Sequence, residues 1–107
     1  MKVSLGLFFL FMIILPEIKA QQVEADLVQF SGLVINSDSL HPVPYVNIRI
    51  KGQNRGTISD YYGFFSLVAR KGETVQFSAV GFKGSQYHIP DTLKGNHYSM
   101  VQIMTND

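Results

Sequence analysis

The chain has 107 residues with nine basic and eight acidic side chains, three histidines and no cysteine. That near-neutral balance excludes the electrostatic footprint of a nucleic-acid binder. With no thiol there is no disulfide and no lipid-anchoring cysteine, so any domain here is held by its apolar core alone.

Residues 1–20 have the layout of a secretory signal peptide. Lys2 gives a positive start, Leu5 to Leu15 is a continuous apolar run, Pro16 breaks it, and Ala20 closes the segment with a small residue. The run is well short of the roughly 20 apolar residues that a spanning helix needs, so cleavage after Ala20 is expected, and export with it. Losing Lys2, Glu17 and Lys19 leaves as many acids as bases and a formal charge of zero. Residues 21–26 read as a flexible lead-in and residues 27–107 as one small domain. Phe30, Phe64, Phe65, Phe77 and Phe82 make its core feasible, at roughly 1.5–3 kcal/mol for each ring fully buried.

Taken in order, Leu27 to Ile35 places Val28, Phe30, Gly32 and Val34 on one face by the period of two, which predicts a strand. Asn36-Ser37-Asp38-Ser39 is turn chemistry, and His41-Pro42-Val43-Pro44 forces an extended approach to the next element. Tyr45 to Lys51 alternates, with Val46, Ile48 and Ile50 inward and Asn47, Arg49 and Lys51 outward. Gly52 to Gly56 reverses the chain into a short strand, Thr57-Ile58-Ser59, and Phe65, Leu67 and Ala69 mark the inner face of the following one. Arg70-Lys71-Gly72-Glu73 reads as a charged hairpin loop into Thr74 to Val80; Lys83 to Ile89 and Tyr98 to Met104 complete the set around a Pro90–Gly95 loop. Six or seven short strands, with turn signals every 8–12 residues or so and no helical periodicity after the leader, predict an all-β sandwich or barrel.

Gly32-Leu33-Val34, Pro42-Val43-Pro44 with the alternating Val46 to Ile50, Lys51-Gly52, Arg55-Gly56-Thr57, Ser59-Asp60, Gly63 to Leu67, Lys71 to Thr74 and Val80-Gly81-Phe82 stand in an order that resembles the carboxypeptidase regulatory-like domain. That resemblance implies a small transthyretin-like (prealbumin-like) Greek-key β-sandwich, common in envelope proteins of Bacteroidetes and used as an accessory module without an active site. Gly32, Gly56, Gly63 and Gly81 are read as structural glycines placed where strands end and the chain reverses through positive φ.

Candidate chemistry is sparse. A calcium loop converges six to eight oxygens on one ion, whereas Asp60 is a single carboxylate with Tyr61 and Tyr62 where further acids would stand. Asp60 is therefore read as the cap of a turn, its side chain accepting from nearby backbone N–H groups, with Gly63 in the left-handed position. His41, His88 and His97 show no metal-ligand spacing, and no serine stands in a nucleophile elbow. Gly52 to Thr57 lacks the Lys-Ser/Thr ending and following helix of a phosphate loop. No catalytic residue, cofactor site or metal site is predicted. Arg49, Lys51 and Arg55 are read as one modest basic stripe, a solvated face that an acidic partner could use. Among the five tyrosines, most are expected half-buried on the sandwich faces or at its corners; Tyr61 and Tyr62, at a turn tip, are the candidate interface. Asp38-Ser39-Leu40 and Asp91-Thr92-Leu93 resemble the short acceptor used for periplasmic O-glycosylation in Bacteroidetes, which makes Ser39 and Thr92 candidate modification sites.

The function expected from these readings is a non-enzymatic exported module, periplasmic or outer-membrane associated, that docks onto an envelope or outer-membrane protein by a sheet face or edge. One alternative is the N-terminal extension of a TonB-dependent outer-membrane receptor, which requires the chain to be a fragment; a lower one is a carbohydrate-binding module. No small-molecule substrate is expected.

Overall fold

The computed structural model describes residues 26–107. The expected leader over 1–20, and all of the 21–26 lead-in but its last residue, lie outside the described residues. Seven strands follow: β1 Leu27–Asn36, β2 Asn47–Ile50, β3 Gly56–Ile58, β4 Phe64–Arg70, β5 Thr74–Ser78, β6 Ser85–His88 and β7 His97–Met104. They form a three-stranded sheet in the order β4-β1-β7 and a four-stranded sheet in the order β3-β2-β5-β6. The domain is thus an all-β sandwich.

Period-two alternation does the folding work on both sheets. Phe30 and Val34 of β1, Phe65, Leu67 and Ala69 of β4, Ile48 and Ile50 of β2, and Val75 and Phe77 of β5 are buried in one core, and Val28 of β1 is buried as well, as their alternation requires. At its centre Phe30 stacks on Tyr87 (6.0 Å between centroids) and Tyr98 (6.1 Å) and tilts against Phe65 (5.5 Å), which in turn meets Phe77 edge-on. Truncating a ring this enclosed costs about 3–5 kcal/mol.

Three expectations are corrected. Arg70 to Glu73 is not a hairpin loop: β4 and β5 belong to different sheets, and the turn, with Gly72 at φ 85° and Glu73 N–H donating to the Arg70 carbonyl at 3.2 Å, carries the chain across the sandwich. Tyr45 is not a strand residue: β2 starts at Asn47, and Tyr45 takes φ 56° after Pro44. Gly32 and Gly56 are not positive-φ reversals. Their role is close approach, since a Cβ on Gly32 would meet the Met100 carbonyl at 2.2 Å and the Phe65 ring at 3.0 Å, and one on Gly56 the Ile48 carbonyl at 2.4 Å.

The pairing that alternation does not reveal is β1 with β7, which run parallel, Leu33 opposite Val101 and Ile35 opposite Ile103. On its other side β1 is antiparallel to β4, Leu33 opposite Phe64. This register fixes what the outer face of the small sheet displays.

Candidate functional site

The turn that joins β3 to β4 sits at a corner, handing the chain from the four-stranded to the three-stranded sheet. Asp60 builds it: one carboxylate oxygen accepts from the N–H groups of Tyr62 at 2.9 Å and Phe64 at 3.0 Å, while its backbone carbonyl accepts from Gly63 N–H at 3.0 Å. Gly63 is at φ 80°, and its carbonyl accepts from Val34 N–H at 2.9 Å, which pins the turn to β1. Buried Ser59, just before it, accepts at Oγ from Val46 N–H at 2.8 Å, and so ties the same corner to the start of β2. One oxygen of the Asp60 carboxylate is thus taken up by the backbone it organises.

So rigid a base leaves its side chains nowhere to fold back. Tyr61 and Tyr62 are 65% and 64% exposed, and Tyr45, held outward by its left-handed backbone, is 65% exposed. The three rings form a cluster, Tyr61 edge-on to Tyr62 at 5.3 Å and tilted to Tyr45 at 6.5 Å. Pro42, Pro44, Tyr61 and Tyr62 line an open cleft of about 350 Å³. The expectation that most tyrosines are half-buried is therefore overturned: Tyr87 and Tyr98 are, and the other three stand in solvent. Pro44 and the short, tied connection to β2 leave Tyr45 no core to enter.

The cluster runs on into the outer face of the three-stranded sheet. There Phe64, Leu33 and Val101 lie abreast on adjacent strands, and Ile35 and Ile103 lie abreast one step further along. Phe64, Val101 and Ile103 are each more than half exposed. Ile35 also bridges to Pro42 of the tyrosine cleft, which joins the two parts. The next row across the sheet is Ser66, Ser31 and Ser99, so no charged side chain interrupts these rows of the sheet face; the exposed Asp60 carboxylate stands at its border with the tyrosines. It offers aromatic faces, phenol hydroxyls and aliphatic groups, which suit binding rather than bond-breaking.

Residues 30–107 match the family described as the CarboxypepD_reg-like domain. The chain belongs to that family. CarboxypepD_reg-like domains are regulatory, non-catalytic modules. No curated protein matches the sequence. Among solved structures, the C-terminal domain of the PapC usher is similar at a TM-score of 0.52 and 16% identity, over 72% of this chain and 98% of that one. A 9R-lipoxygenase from Cyanothece PCC8801 is similar at 0.50 and 12% identity, over 77% of this chain and 17% of that one. At such identities the likeness is one of fold.

The remaining candidates are scattered over this CarboxypepD_reg-like domain rather than gathered. His41 precedes β2, His88 on β6 bonds Thr74 Oγ1 through Nδ1 at 3.1 Å, and His97 opens β7. Among the described residues no three His, Cys, Asp or Glu side chains come together as a metal site. Gly81 takes φ 85° in the loop after β5, where Asp107 N–H donates to its carbonyl at 2.9 Å. Ser39 and Thr92 are exposed in the loops after β1 and β6, and Ser39 Oγ accepts from His41 N–H at 3.2 Å. The basic stripe is shorter than expected, because Arg55 turns away to pair with Glu73 and to reach the Val68 carbonyl at 3.4 Å.

Proposed function

We propose that this domain is a non-enzymatic, exported accessory module of a bacterial cell envelope, periplasmic or outer-membrane associated, which docks onto a protein partner through the aromatic and aliphatic surface formed by Tyr45, Tyr61, Tyr62, Phe64, Val101 and Ile103. The observation that carries the reading is the joining of an exposed tyrosine cluster to an exposed apolar sheet face, with the Asp60 carboxylate at the junction tied down by the N–H groups of Tyr62 and Phe64. Contiguous exposed apolar area of this kind marks interaction surfaces, and tyrosine anchors with charge depletion are what the centres of protein interfaces share. Membership in a family of non-catalytic modules and the turn-capping role of Asp60 support binding over chemistry. The test is site-specific photocrosslinking from this surface in the native host. A partner adduct from Tyr62 and Val101 is expected, and its absence from both positions would refute the proposal.

A further inference from the structure

The opposite outer face, that of the four-stranded sheet, has the contrary chemistry. The register sets Arg49, Gln76 and Gln86 abreast across β2, β5 and β6, with Asn47 and Ser78 abreast beside them. All five side chains point to solvent. The one ion pair among the described residues joins Arg55 to Glu73, so Arg49 has no acidic partner there, nor does Lys51 in the turn just after β2. Glu73, the carboxylate nearest in sequence to β5, is already engaged by Arg55 and by Arg70 N–H at 2.6 Å. No acid stands on this face of the sheet.

Arg49 is also shared by two open clefts. One, of about 460 Å³, is lined by Arg49 with Gln76, Ser78, Gly84 and Gln86. The other, of about 500 Å³, is lined by Arg49 with Asn47, Asn54 and Gly56. Together they run across the strands as one track with Arg49 common to both halves. At about 4.8 Å between neighbouring strands, four strands give a track about 14 Å long.

We propose that this face binds an acidic glycan, a polymer of carboxylate-bearing sugars lying across β3-β2-β5-β6. The charge is complementary: Arg49 and Lys51 face no acid of their own, and a guanidinium takes a carboxylate through two parallel N–H···O bonds. The carboxamides of Asn47, Gln76 and Gln86 and the hydroxyl of Ser78 both donate and accept, which matches sugar hydroxyls. An acidic peptide fits less well, because a sheet face presents side chains only, whereas an added peptide strand needs the unpaired backbone of an edge. The track's apolar residues are the buried Phe77 under the first cleft, Ile58 in the second, and Tyr45 and Val80 beside Asn47 and Ser78 at one border, so its middle around Arg49, Gln76 and Gln86 is without the exposed apolar anchors a folded protein partner uses.

Calorimetric titration of the purified chain at low ionic strength, with polygalacturonate, neutral dextran and polyglutamate as probes, tests this. Binding to polygalacturonate that weakens with added salt is expected, with no binding to dextran and weaker binding to polyglutamate. Arg49→Gln is expected to lower polygalacturonate affinity about tenfold, the loss of one charged hydrogen-bonding group, with partial recovery in Arg49→Lys. Lys94→Gln, the same change of charge in a distant loop, should leave it unaltered. Absence of polygalacturonate binding, equal binding by Arg49→Gln, or equal binding of dextran would overturn the proposal. Equal binding of polyglutamate would overturn the assignment to glycans.

Discussion

Replacing Asp60 with alanine removes the acceptor that serves two backbone donors at once, Tyr62 N–H at 2.9 Å and Phe64 N–H at 3.0 Å. Each such bond contributes about 0.5–1.5 kcal/mol net. Both donors lie on exposed residues, so water replaces part of what is lost. The backbone pair between Asp60 and Phe64, at 2.9 Å, survives the change. The expected cost is therefore about 1–2 kcal/mol, at the level of a lost helix cap. For a domain of this size that lowers Tm by about 4–8 °C per kcal/mol. In urea, the midpoint should fall with an unchanged slope, since the surface exposed on unfolding is the same. Asp60→Asn keeps an acceptor oxygen in place and should recover most of the loss. If Asp60→Ala left the urea midpoint unmoved, or if Asp60→Asn were as damaging as alanine, the capping account of this turn would fail.

Gly63→Val should cost more, about 2–5 kcal/mol, because it combines a branched side chain at φ 80° with a Cβ 2.7 Å from the Val34 carbonyl; thermal unfolding checks this. The Tyr87 phenol is pushed up from 10.0 to about 12 by its hydrogen bond with the Tyr98 hydroxyl and by burial. The unfolded chain releases that proton near pH 10 while the folded chain keeps it, so the pair's contribution is whole below pH 10 and is lost as pH rises towards 12. Denaturant midpoints measured across that interval should fall, and Tyr87→Phe should flatten that part of the fall. Sugars on Ser39 and Thr92 are expected to raise the intact mass of the protein from its native host above that of residues 21–107, and Ser39→Ala with Thr92→Ala to remove the excess; a mass without added sugar would refute the modification.

How much of this was legible in the sequence depended on what alternation can encode. Val46-Asn47-Ile48-Arg49-Ile50 states both its strand and its inner face, and β2 is found there with Ile48 and Ile50 buried. Alternation does not say which sheet a strand joins, so Arg70 to Glu73 read as a hairpin when it crosses between sheets. Nor does it reveal a parallel neighbour, since β1 and β7 stand at opposite ends of the domain's sequence. The outer apolar face was hidden for a related reason. Tyr98 to Met104 carries apolar residues on both faces, with one polar residue, Ser99 or Gln102, on each, so nothing in it separates Met104, which is buried, from Val101 and Ile103, which are not. Asp60-Tyr61-Tyr62-Gly63 was legible because turn chemistry is local, whereas the third ring of the cluster, Tyr45, comes from a backbone conformation that only tertiary ties enforce.

The central claim, that the tyrosine corner and the apolar sheet face form one protein-docking surface, is tested most directly by photocrosslinking in the native host from three positions: Tyr62, Val101, and Gln86 on the opposite face. The account predicts one protein adduct of the same partner from Tyr62 and from Val101, none from Gln86, and loss of both when the exposed Phe64 is changed to lysine in a protein that still folds. Adducts at Gln86 alone, or adducts at Tyr62 and Val101 that persist unchanged in Phe64→Lys, would contradict it.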